Sequence, residues 1–67
     1  MKFRPMKYHE GRTTYVRLPS EDRALKAVGK LKERGLLAWL QAHYQCEYRD
    51  QVIEEHWTIG FQRFITL

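Results

Sequence analysis

Residues 20–43 read SEDRALKAVGKLKERGLLAWLQAH, and the point at which the helix inside them ends decides the fold. The start is well marked. Ser20 follows Pro19 and can cap the free N–H groups, while Glu21 and Asp22 place negative charge at the positive end of the helix dipole. At 100° per residue, Ala24, Leu25, Val28, Leu31, Gly35, Leu36, Trp39, Ala42 and His43 fall on one apolar arc. That phase survives Gly29 and Gly35, so one helix from about Ser20 to His43, roughly 36 Å long, is consistent with the pattern. The alternative is a break at Arg34-Gly35, with Arg34 in the last turn and Gly35 as the cap. Leu37 and Leu40 lie off the arc, which points to such a break or to a second contact surface.

Strand patterns lie on both sides of this segment. Residues 3–10 read weakly as a strand, at a sheet edge or starting after Pro5, which has no N–H to donate. Gly11-Arg12 is a hairpin turn signal. Residues 13–18 alternate, with Thr14, Val16 and Leu18 on one face and Thr13, Tyr15 and Arg17 on the other. Residues 44–51 alternate too, and Cys46 falls on their apolar side with Tyr44 and Tyr48. Trp57, Ile59 and Phe61 share one face of residues 57–62. Residues 50–55 read as a turn or a short helical segment. Phe64, Ile65 and Leu67 extend the last strand past a bulge expected at Gly60. The predicted fold class is therefore α+β: a two-layer β-β-α-β-β domain, an antiparallel sheet packed on one long or broken helix. The uncovered sheet face is expected to carry Tyr15, Arg17, Glu47 and Arg49, with Lys7 or Arg63 as additions.

Size and composition bound the rest. Sixty-seven residues, 43% hydrophobic and 13% aromatic, make one small domain and not a disordered tail. A single cysteine closes no internal disulfide, so a reducing cytoplasm is the expected compartment. The longest apolar run is five residues (36–40), far short of the roughly 20 of a membrane helix, and no signal peptide follows Met1. The net charge of +4 is uneven. Residues 1–34 hold ten basic and four acidic side chains; residues 35–67 hold two and four.

Catalytic and metal patterns are poor. His43, Cys46 and His56, with His9, give at most an incomplete zinc-ligand spacing. Ser20 is accounted for as a cap, and an apolar strand face would raise the Cys46 thiol pKa, not lower it. Glu54 and Glu55 are adjacent and turn apart on a strand or a helix. Gly29-Lys30 lacks the remaining residues of a phosphate loop. No catalytic residue, metal or cofactor is expected.

The strongest signal is a basic ridge. Arg23, Lys26, Lys30 and Arg34 fall within about 80° of one another on the helix, opposite the apolar arc. Such a ridge suits an anionic partner, and it also suits an ordinary solvated helix face. The second signal is the Tyr15, Arg17 and Arg49 surface, since aromatic and arginine side chains anchor both protein interfaces and single-stranded nucleic acids. The expectation is a non-enzymatic inhibitor or adaptor of a larger protein or nucleoprotein complex with an acidic surface, of the kind phages and mobile elements encode. The alternatives are direct DNA or RNA binding, through the ridge or the sheet face, and a homodimer joined through strand edges or Leu37 and Leu40.

Overall fold

A computed structural model describes residues 3–63. Four strands and one helix follow one another as β1 (Lys7–Glu10), β2 (Thr13–Leu18), α1 (Glu21–Glu33), β3 (Leu36–Tyr48) and β4 (Gln51–Arg63). The strands form one antiparallel sheet in the order β1-β2-β4-β3. The helix covers one face, so the fold is the small two-layer α+β domain expected from the sequence. Phe64, Ile65 and Leu67 lie outside the described residues. No helix among those described is long and apolar enough to cross a membrane.

Local chemistry sets the boundaries. The β1–β2 turn closes between Glu10 and Thr13, with Gly11 at φ 61°, a left-handed value that glycine adopts without steric cost. β1 starts only after Pro5, and the Arg17 amide donates to the Met6 carbonyl just beyond its first residue. Ser20 is extended, and its Oγ accepts from the Arg23 amide at 3.2 Å, the capping bond that starts α1.

The helix does not continue to His43. The Arg34 amide still bonds to Leu31, but Gly35 turns to φ 83° while its amide donates to Lys32, so the chain reverses at once into β3. Leu36, Trp39, Ala42 and His43 are strand residues. They fit a helical period because β3 is apolar on both sides of the sheet, and a strand without clean alternation mimics i, i+3, i+4 spacing. Leu40 faces α1, in register with Ile59. Leu37 faces away, in register with Gln62.

The two 13-residue strands β3 and β4 make one long hairpin. Its turn is Arg49-Asp50, at φ 52° and 61°, the pair of left-handed values that closes a tight two-residue hairpin. Of residues 50–55, expected as a turn or a short helical segment, only Asp50 belongs to the turn, and 51–55 are strand. Register steps occur between Leu40 and Ala42 and between Cys46 and Glu47, whereas Gly60, where a bulge was expected, pairs regularly with Trp39 and Tyr15. Only residues 57–61 of β4 also pair with β2, so the distal half of the hairpin extends as a two-stranded arm and the molecule reaches 52 Å in length.

The core is thin. Ala24 and Val28 of α1 meet Ala38 and Ile59 of the sheet, ringed by Val16, Leu18, Ala27, Leu31, Trp57 and Phe61. Among the described residues no large side chain is completely buried.

Candidate interaction surfaces

The sheet face away from α1 is built by register. Tyr8 lies opposite Tyr15, Tyr15 opposite Gly60, and Gly60 opposite Trp39, so one row crosses all four strands. The Tyr8 and Tyr15 rings stack with centroids 5.0 Å apart. The Trp39 indole lies over Gly60. A Cβ on that glycine would stand 2.8 Å from two ring carbons, so only glycine leaves room for it. Trp39 Nε1 donates to Gln41 Oε1 at 2.7 Å, which fixes the ring across the sheet.

The neighbouring row is Arg17, Thr58 and Ala42, and after it His56 faces Tyr44 with rings 4.9 Å apart. His56 is buried. Desolvation, and then the positive charge of Arg17, hold its pKa below the usual histidine value. Tyr44 and Cys46 follow along the same side of β3, and the neighbouring thiol raises the Tyr44 phenol. This face therefore combines the rings of Tyr8, Tyr15, Trp39, Tyr44 and His56 with one partly exposed arginine, Arg17. It carries Tyr15 and Arg17 as expected from the alternation of β2.

The other expected members lie elsewhere. Arg49 is in the hairpin turn at the far end of the arm, its guanidinium 5.2 Å from the centre of the Tyr48 ring. Glu47 shares the opposite side of β3 with Gln45, whose Nε2 donates to its carboxylate. Lys7 and Arg63 are in register with Val16 and Leu36, on the helix side. The register step at Gln41 reverses the facing of everything beyond it. For the same reason Cys46 leaves the core side on which the sequence pattern put it.

The basic ridge is present on α1. Arg23, Lys26, Lys30 and Arg34 are all exposed. Lys26 is paired with Asp22 at 3.2 Å, one turn earlier, so the acid that offsets part of the ridge is Asp22. An exposed pair of this kind contributes little to stability, which leaves Lys26 available to a stronger anionic partner.

The residues weighed as metal ligands are not brought together. His43 lies on the helix side, stacked on Trp57 at 4.4 Å and bonded through Nε2 to Glu55 at 2.7 Å. His56 and Cys46 are on the opposite face. His9 Nδ1 is bonded to Thr14 Oγ1 on the first hairpin. Among the described residues no three His, Cys, Asp or Glu side chains gather.

Tyr8, Trp39, Tyr44 and His56 are members of this face that the sequence reading missed. Tyr8 was accessible to it: a two-residue turn at Gly11-Arg12 places Tyr8 and Tyr15 at equal distances from the turn, hence opposite one another. Trp39 was hidden by the helical reading of residues 36–43. Comparison with protein-family models, curated proteins and solved structures finds no match to this chain.

Proposed function

We propose that this protein is a non-enzymatic binding module that acts as an inhibitor or adaptor by docking on a larger protein or nucleoprotein complex. The observation that carries this reading is the row Tyr8, Tyr15 and Trp39 beside Arg17, an aromatic and arginine surface left open on the face opposite the helix. Aromatic rings and arginine are the side chains that anchor interfaces, because they offer large contact area at small entropic cost. The ridge Arg23, Lys26, Lys30 and Arg34 supplies long-range attraction toward an acidic partner surface. A single cysteine suits work in a reducing cytoplasm, and small surface-acting chains of this kind suit a phage or mobile element.

The test is affinity capture from host lysate with and without nuclease. A partner retained after nuclease treatment supports direct protein docking. Arg17→Glu should abolish capture, and the triple reversal Lys26→Glu, Lys30→Glu, Arg34→Glu should slow association and weaken its salt dependence. Capture untouched by both variants removes these surfaces from the reading.

A second reading, direct binding of single-stranded DNA or RNA, is favoured by the same row of rings on an open sheet beside a cation. Polarisation titrations at two salt concentrations test it. Absence of binding at low salt, where phosphate contacts are strongest, excludes it.

A further inference from the structure

The two edges of the sheet differ. β1 is four residues long, follows Pro5, and carries Lys7 and Glu10. Short length, proline and charge are the usual protections against unwanted strand pairing. β3 is neither short nor interrupted by proline, and its first five residues, ahead of the register step at Gln41, carry no charge. It runs for 13 residues, contains no proline, lysine or arginine, and has one acidic residue, Glu47, near its far end. Among the described residues no strand pairs with its outer side.

Three observations near the start of β3 point the same way. Leu40 faces the helix side, in register with buried Ile59, yet is 41% exposed because it stands at the edge. A hollow of about 390 Å³ separates the Lys32 side of α1 from Leu36, Leu37 and Ala38, so that flank of the helix overlooks the β3 edge. The same flank carries Leu25, 51% exposed, and Gly29. Glycine in a helix interior is destabilising, and nothing lies within 4 Å of where a Gly29 side chain would begin. No contact among the described residues accounts for it.

We propose that the β3 edge is the interface with a second copy of this chain, the two β3 strands pairing antiparallel about a two-fold axis. The eight-stranded sheet so formed gives the outer backbone groups of β3 their partners. α1 rests mainly on β3 and β4. With strands about 4.8 Å apart, the two helices then approach to roughly 10 Å, the spacing of directly packed helices. Gly29 is what such an approach requires. Leu25 and Leu40 of the two copies close the hollow, extending a core that is thin in the single chain.

Charge selects this occupant. The ridge of Arg23, Lys26, Lys30 and Arg34 is centred about 135° round the helix from the Leu25–Gly29–Lys32 flank, so the two ridges stay apart; that flank carries Glu21 near one end and Lys32 near the other, and antiparallel helices set each against its opposite in the second copy. Antiparallel pairing also keeps the two Glu47 carboxylates at opposite ends of the seam. Both aromatic faces and both ridges stay open, so this association is independent of the docking proposed above.

Sedimentation velocity from low micromolar to millimolar concentration, with hydrogen exchange read on the β3 amides, tests the proposal. The expected result is a reversible dimer whose added protection falls on residues 36–42. Leu40→Lys should weaken association by about tenfold or more while leaving the circular dichroism spectrum unchanged. Gly29→Gln should move two readings in opposite directions: a higher melting temperature for the dilute monomer and weaker association. A chain that stays monomeric to millimolar concentration overturns the proposal, including one that captures another protein's strand at β3. A dimer protected elsewhere and indifferent to both variants overturns it as well.

Discussion

The two faces of this sheet are ordered by different means. On the helix side, Ile59, Ala38, Val16 and Phe61 are held by burial under Ala24 and Val28. On the open side none of the described residues forms a covering layer, and the side chains order one another: Tyr8 on Tyr15, Trp39 on Gly60, Tyr44 on His56. The first arrangement supplies the stability of the fold. The second supplies a rigid surface at little conformational cost, because stacked rings with few rotatable bonds are already fixed before a partner arrives.

The largest effect should come from the covered face. Ile59 is 2% exposed and central to the core. Ile59→Ala should cost about 2–5 kcal/mol. A domain of this length has only about 3–10 kcal/mol to lose. Urea denaturation should therefore show a midpoint shifted far toward zero denaturant. A loss below about 1 kcal/mol would mean that the helix and sheet do not pack as described.

The open face should respond less, and through a particular pair. Gly60→Ala places a methyl group against the Trp39 ring at 2.8 Å and should cost about 1–3 kcal/mol. In a Trp39→Ala background the clash is gone, and the same change should be neutral or slightly stabilising, since alanine suits a strand better than glycine. A double-mutant cycle on thermal melts reads the coupling. Equal costs in both backgrounds would show that the indole does not rest on that glycine.

How far the sequence foretold the two faces differs as well. The covered face was legible wherever alternation ran unbroken: Val16 and Leu18 in β2, and Trp57, Ile59 and Phe61 in β4, are all on the core side. The helix end was ambiguous, because Gly35 fits either a helical phase or a left-handed cap and only tertiary packing of residues 36–48 separates them. The open face was half legible. Tyr15 and Arg17 follow from β2 alone, but Glu47 and Arg49 lie beyond the register step at Gln41, and no local pattern marks a bulge that the partner strand imposes. Lys7 and Arg63 carry the charge expected of that surface, and register alone sends them to the other side.

The smallest effect is a pH dependence that belongs to the open face alone. Burial, and then Arg17, lower the His56 pKa, opposed by Glu54. The unfolded chain therefore binds a proton at His56 more readily than the folded one. Stability from this residue is present at neutral pH, and it declines as the pH falls below the unfolded value of about 6.5, levelling off below the folded pKa. Melting temperature should accordingly fall on mild acidification. His56→Phe keeps a ring against Tyr44 and removes the proton, so its acid slope should be shallower than that of the parent. Arg17→Gln removes the neighbouring charge and should flatten the slope by a smaller amount. His9 and His43 are present in all three proteins, so the differences between the curves report on His56. Parallel curves would place the acid sensitivity on a group other than His56.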